Sequence, residues 1–161
     1  MISENIKKEI AEIITHYPSE QKRSALLPVL HIVQTENRGH LTEPLMQEVA
    51  EMLEITPLQV YEVATFYTMF NLKPVGKYHI QVCRTLPCAL MGAEKLVSYL
   101  EQKLGIGLGE TTPDGLFTLV EVECLASCGT APMMQINGQY YENLNQKKVD
   151  DILDQLKKKS Q

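Results

Sequence analysis

The four cysteines of the chain fall as two pairs, Cys83-x4-Cys88 and Cys124-x3-Cys128, and no fifth thiol is left over. In a chain without an export signal such residues are expected as thiols, so a metal, a redox reaction or packing must account for them. Three chemistries compete. Structural zinc takes pairs separated by roughly two to four residues, which admits both gaps but puts the first at the wide limit. Thiol-disulfide exchange uses Cys-x-x-Cys at a helix start, and neither pair has that form. A two-iron cluster takes two thiolates on each iron and is wider than a zinc ion, and gaps of about four residues occur in ferredoxin loops. Spacing therefore favours iron and sulfide, with zinc and buried free thiols as the alternatives.

Charge points the same way. Two ferric ions, two sulfides and four thiolates sum to about -2, and one added electron makes this about -3, so positive potential must be supplied nearby. Cys88 directly precedes a helix expected over residues 90–100, whose free amides would face the cluster. Ala126, Ser127, Gly129 and Thr130 are small enough to let backbone amides approach the sulfurs. Arg84 is a candidate for further positive charge, its plainer reading being a solvated side chain.

These residues need a scaffold, and the second half of the chain supplies one. Tyr78, Ile80 and Val82 alternate with polar residues as a strand that delivers Cys83 at its end. Leu90, Ala93, Leu96, Val97 and Leu100 recur at helical spacing; the helix stops at Gly105, and a turn-rich loop runs through Thr112-Pro113-Asp114-Gly115. Residues 117–122 read as a second strand leading to Cys124. Residues 133–136 and 139–142 flank Asn137-Gly138, a hairpin turn pair, and Val149, Ile152, Leu153 and Leu156 mark a last helix. Strand, helix, strand, hairpin, helix is the order of a small thioredoxin-like α/β sandwich. Loops after neighbouring strands can open at one end of such a sheet, which would bring the two cysteine pairs together.

The first half reads as helices. Ile6, Ile10, Ile13 and Ile14 share a face that stops at Tyr17-Pro18, and a second helix is expected over residues 19–36, kinked or split at Pro28. Thr42 opens a third helix with Leu45, Met46, Val49, Ala50 and Leu53 as its buried stripe. Thr56-Pro57-Leu58-Gln59 opens a fourth with a capping box and proline at its first position. That helix is apolar nearly all round through Val60, Val63, Ala64, Phe66, Tyr67, Met69 and Phe70, which reads first as the central core helix of its domain and second as a docking face. Pro74 and Gly76 break the pattern, so the expected division is a helical partner-docking domain over residues 1–74 and a thioredoxin-like domain over residues 75–161. The fold class is α+β, an N-terminal helical bundle followed by an α/β domain.

Composition excludes several functions. Among 161 residues, 15 Lys and Arg face 20 Asp and Glu, for a net charge of -5, and no basic stripe exists to neutralise phosphates. Lys157-Lys158-Lys159 reads as a frayed terminus. The most apolar stretch, residues 63–70, is far short of the roughly 20 residues that cross a bilayer. Met1-Ile2-Ser3-Glu4 lacks the features of an export signal, so the expected location is cytoplasmic. Gly105-Ile106-Gly107-Leu108-Gly109 misplaces its third glycine for a dinucleotide loop and follows a helix, so it reads as a helix stop. His16, His31, His40 and His79 are scattered and receive no chemistry. Ser127 has no evident triad partners, and Glu121 and Glu123 are expected to meet water.

The run Gly76-Lys77-Tyr78-His79-Ile80-Gln81-Val82-Cys83, with Pro87-Cys88 and Met91-Gly92, resembles the thioredoxin-like 2Fe-2S ferredoxin family. More narrowly, the chain resembles the small 2Fe-2S subunits of the NADH-oxidising module of respiratory complex I. That likeness extends to residues 63–70, Thr112-Pro113-Asp114-Gly115, Cys124-Leu125-Ala126-Ser127-Cys128 and Ala131-Pro132. The resemblance implies that Cys83, Cys88, Cys124 and Cys128 ligate one 2Fe-2S cluster and that the chain exchanges single electrons with FMN. FMN and NADH would be bound by a larger iron-sulfur partner subunit. It implies an oxidoreductase subunit of NADH:quinone oxidoreductase without NADH oxidation of its own. Its place would be among other peripheral-arm subunits on the cytoplasmic face of the inner membrane, with no nucleic acid and no insertion in the membrane. Equivalent diaphorase subunits of NAD-linked hydrogenases and formate dehydrogenases share the pattern. The family usually has Gly where Ala126 stands, and the extra methyl bears on loop geometry or potential.

Overall fold

The computed structural model describes residues 1–160, so Gln161, the last residue of the expected second domain, lies outside the described residues. The chain divides into two compact units, Met1–Pro74 and a second beginning at Val75.

In the first unit, α1 (Glu4–Ile14) is followed by a 3-10 segment (Ser19–Ala25), α2 (Leu26–Glu36), α3 (Glu43–Leu53) and α4 (Pro57–Phe66). The single helix expected over residues 19–36 is divided at Ala25 and Leu26, with Gln21 outside helical geometry at φ -124°. Pro28 is not the cause, because it lies in the first turn of α2, where its missing N–H has no intrahelical acceptor to lose. At the start of α4 the capping box is complete. Gln59 N–H donates to Thr56 Oγ1 at 3.3 Å and Thr56 N–H donates to Gln59 Oε1 at 2.9 Å. Ile10, Leu30, Val49, Leu53 and Val60 meet in the core of the unit.

The expectation that α4 is core all round needs correction. The helix ends at Phe66, with Tyr67 already extended; Val60 and Ala64 are its buried residues, while Leu58, Tyr61 and Phe66 are exposed. Phe70 lies past the helix end and is buried with its ring centroid 5.0 Å from that of His31.

The second unit is a four-stranded sheet in the order β2-β1-β3-β4, built from β1 (Tyr78–Cys83), β2 (Phe117–Val122), β3 (Met134–Ile136) and β4 (Gln139–Tyr141). β1 and β2 are parallel, from Tyr78 opposite Phe117 to Cys83 opposite Val122, and β3 runs antiparallel to β1. A parallel pair needs a crossover, supplied by α5 (Leu86–Leu90) and α6 (Ala93–Leu104). Asn137 and Gly138 both have positive φ, 48° and 85°, as the tight β3-β4 turn requires. α7 (Gln146–Lys158) follows, so Lys157 and Lys158 close a regular helix instead of fraying. Ile80, Val82, Leu100, Leu119, Met134 and Leu153 form the core.

The helix expected over residues 90–100 is two helices, because Gly92 adopts the left-handed conformation between α5 and α6. Cys88 lies inside α5 and does not directly precede the longer helix, α6, which begins at Ala93. Gly105, at φ 68°, stops α6, and the amide of Gly109 then donates to the Leu119 carbonyl at 2.7 Å, so the glycine-rich segment lines β2. Among the described residues no helix is long and apolar enough to cross a membrane.

Candidate metal centre

Cys83 is the last residue of β1. Because β1 and β2 run parallel and end in register at Cys83 and Val122, Cys124 emerges two residues past the same end of the sheet. The join is tight: Arg84 N–H donates to the Val122 carbonyl at 3.1 Å, and Cys83 N–H to the Met133 carbonyl at 3.3 Å. Cys88 follows Pro87 in the first turn of α5, where a proline N–H would be unsatisfied in any case. Cys128 opens a short 3-10 turn, Cys128–Thr130, ahead of the cis Ala131-Pro132 bond.

The four sulfurs meet two environments. Cys83 and Cys88 are buried, 3% and 1% exposed, among Ala93, Ala131 and Met133 with Leu125 packed alongside, whereas Cys124 and Cys128 are exposed. Thr85 Oγ1 is 3.5 Å from Cys83 Sγ, and the Ala126 amide donates to Cys124 Sγ at 3.4 Å. Burial pushes the Cys88 thiol up to about 11, with neighbouring Cys83 adding to the shift and Cys128 contributing a further electrostatic push. At Cys83 burial acts in the same sense, but hydrogen bonds from the Thr85 hydroxyl and from backbone groups of Leu125 and Thr85 outweigh it, and the pKa is lowered. Burial thus acts on both thiols in the same sense, and hydrogen bonding separates them, Cys83 being lowered and Cys88 raised.

The structure brings Cys83 and Cys88 together and sets the exposed loop of Cys124 and Cys128 at the same sheet end. Among the described residues, no three Cys, His, Asp or Glu side chains stand as a closed set around one metal ion. The donor chemistry nevertheless fits a cluster held pairwise: four soft sulfurs in two pairs, one pair walled off from water, and N–H and O–H donors aimed at sulfur. Ala126 holds φ 56°, the left-handed region that an Ala occupies at a cost and a Gly does not, which is the physical reason Gly suits that position.

Two expectations change. Arg84 is exposed and its guanidinium is engaged by Glu123, with Nε 3.1 Å and Nη2 2.5 Å from Oε1, so its charge is matched locally. Glu123, expected only to meet water, is that partner. His79 lies near the start of β1, away from Cys83, and burial lowers its pKa and favours the neutral ring. No local signal in the sequence marks Thr85 or Glu142. Glu142 is reached from Ser127 and Thr130 across 15 and 12 residues, separations that carry no helical or strand period.

The family model described as thioredoxin-like [2Fe-2S] ferredoxin matches residues 10–157. The chain belongs to this family. Within this ferredoxin family it is 54% identical over 145 residues to the E subunit of NADH-quinone oxidoreductase from Rickettsia conorii, covering 90% of this chain and 87% of the relative. It is 46% identical over 154 residues to NADH dehydrogenase [ubiquinone] flavoprotein 2, mitochondrial, of Dictyostelium discoideum, covering 96% of this chain and 62% of the relative. Among solved structures, the NAD+-reducing [NiFe]-hydrogenase in the air-oxidized state shares the fold with a TM-score of 0.72 at 22% identity, over 83% of this chain. This chain spans 23% of that hydrogenase chain.

Proposed function

We propose that Cys83, Cys88, Cys124 and Cys128 hold one 2Fe-2S cluster and that the chain serves as the E-type electron-transfer subunit of an NADH:quinone oxidoreductase. The reading rests above all on the parallel ending of β1 and β2, which delivers both cysteine pairs to one end of the sheet. The 54% identity to the Rickettsia conorii protein over 90% of the chain supports the parent enzyme. When bound, the cluster supplies one-electron chemistry at a potential set by charge, sulfur hydrogen bonds and exposure. The chain's own residues set those terms. Cys83 and Cys88 keep water from one side, the Thr85 hydroxyl and the Ala126 amide donate to sulfur, and the paired Arg84 leaves little uncompensated positive charge beside Cys83.

FMN and NADH are assigned to a larger partner subunit, a reading supported by the likeness to the E subunit of NADH-quinone oxidoreductase; the glycine-rich segment after α6 serves as a helix stop that lines β2. The exposed apolar residues of α4 are the proposed contact for that partner, in a complex lying peripherally on the cytoplasmic face of the inner membrane. A diaphorase subunit of an NAD-linked hydrogenase is the second reading, favoured only by the shared fold.

Anaerobic purification with iron and acid-labile sulfide analysis, followed by EPR after reduction, tests the assignment. About two irons and two sulfides per chain with a paramagnetic reduced state are expected. A colourless protein with one zinc and no sulfide would refute it. The isolated chain should not oxidise NADH; turnover without the partner would contradict the division of labour.

A further inference from the structure

The loop that carries Cys124 and Cys128 is exposed, yet a cluster ligand must be held in place, and the fold holds this loop through one carboxylate. Ser127 and Thr130, on either side of Cys128, both send their hydroxyls to Glu142 Oε1, Thr130 at 2.6 Å and Ser127 in a still closer contact. The two hydroxyl oxygens are themselves 2.7 Å apart. The hydrogen bonds from Ser127 and then Thr130 hold the Glu142 carboxyl below the usual range and favour its ionised form, while Thr130 Oγ1 also lies 3.1 Å from the Ser127 carbonyl. Among the described residues the Glu142 carboxylate makes no salt bridge, which leaves the two hydroxyls as its partners. The backbone continues the tie, since Asn143 N–H donates to the Thr130 carbonyl at 2.7 Å and Leu144 N–H to the Pro132 carbonyl at 3.0 Å. Glu142 directly follows β4, so the staple anchors the second cysteine loop to the β3-β4 hairpin.

We infer that Glu142 is a positioning residue for the cluster: through Ser127 and Thr130 it fixes the Cys124–Cys128 loop, and its negative charge holds the reduction potential down. The inference rests on the cluster assignment proposed above. Both parts follow from general physics. Groups that orient metal ligands by hydrogen bonds typically change metal retention by a factor of roughly ten or more, and Glu142 reaches Cys128 through the backbone of Ser127 and the nearby Thr130. A fixed anion near a centre that becomes more negative on reduction disfavours the added electron, an effect weakened here by solvent and salt.

Three variants of the full chain separate these effects: Glu142→Gln, Glu142→Ala and the double change Ser127→Ala with Thr130→Ala. Gln keeps an oxygen that accepts both hydroxyls but removes the charge; Ala removes both. The measurements are iron and sulfide content, the half-life of the visible absorption under an iron chelator, and an EPR-monitored redox titration. The Ala variant and the double variant are expected to lose absorption roughly ten times faster than the parent. The Gln variant is expected to keep nearly the parental half-life while its reduced-to-oxidised ratio at fixed poise rises roughly two- to three-fold. A parental half-life in Glu142→Ala together with an unmoved potential in Glu142→Gln would overturn the inference while leaving the cluster in place. Absence of iron and sulfide from the parent protein would instead remove the cluster assignment, and the inference with it. Should Glu142→Ala fail to fold, the Gln and double variants decide the matter alone.

Discussion

Gly76 lies so close to Phe117 that a methyl group on it would stand 2.8 Å from the Phe117 carbonyl carbon and 3.0 Å from two backbone atoms of Leu116. Its amide donates to the Thr118 hydroxyl at 2.5 Å, which secures the start of β1 against β2. Here glycine is required by close approach of two backbones. Substitution Gly76→Ala forces the parallel pair apart and should destabilise the second unit by about 1–3 kcal/mol. A lowered denaturation midpoint checks this, with Gly107→Ala as the control, since its added methyl meets the Glu110 carboxylate only at 3.5 Å. Equal stability of the two variants would contradict the packing argument.

Gly76 also shows how unevenly the fold could be read in advance. The strands were legible because alternation at Tyr78, Ile80 and Val82 and the β-branched run to Val122 are local signals, and the Asn137-Gly138 turn declares its own geometry. The Thr56 cap was legible for the same reason. Helix ends without such chemistry were not. Phe66-Tyr67-Thr68-Met69-Phe70 keeps an apolar composition through the point where α4 stops, and composition does not distinguish a buried Phe70 from an exposed Phe66. Cys88 reads from the sequence as lying outside a helix because α5 is a single short turn, too brief for periodicity to register. The cysteine pairs stood out by spacing, but Glu142 meets Ser127 only through tertiary structure, as does Arg84 with Glu123.

The burial of Cys88 leads to a spectroscopic prediction. Cys88 is 1% exposed and packs in one buried cluster with Cys83 at the end of β1, which is where a ligand shielded from water is expected. Cys88→Ser should weaken or abolish the visible cluster absorption. His79→Ala should leave it intact, because His79 is secured by its backbone N–H donating to Asn137 Oδ1 at 2.9 Å and not by its ring. Comparable loss of absorption in both variants would disprove the ligand assignment.

Differential exposure predicts an order of reaction. In chain stripped of metal, a maleimide or iodoacetamide should label Cys124 and Cys128 first, with Cys83 and Cys88 following only as the buried pair opens. Peptide mass analysis over time reads the order. Reconstitution with iron and sulfide should then protect all four at once if, as proposed, each sulfur is a ligand. Selective protection of only one pair would argue for a smaller metal site.

The last prediction concerns α4. Leu58, Tyr61 and Phe66 are exposed although α4 is capped at its start and buries Val60 and Ala64, so the apolar surface is held in place by a formed helix. Isolated exposed apolar side chains are ordinary, but three on one helix, one of them a Phe 77% exposed, lie beyond what packing of this unit uses. Because these side chains contribute little to the unit's own core, Tyr61→Ser with Phe66→Ser should leave the thermal midpoint and the visible spectrum close to the parental values. Co-expressed with the proposed larger FMN-binding subunit, the same variant should be recovered in complex at least roughly tenfold less efficiently, the scale expected when central aromatic anchors are lost. Thr56→Ala provides the contrasting case: loss of the capping hydroxyl should lower stability by about 1 kcal/mol while leaving the aromatic anchors in place. If the aromatic variant instead unfolds like a core substitution, or assembles as well as the parent, α4 is not the contact.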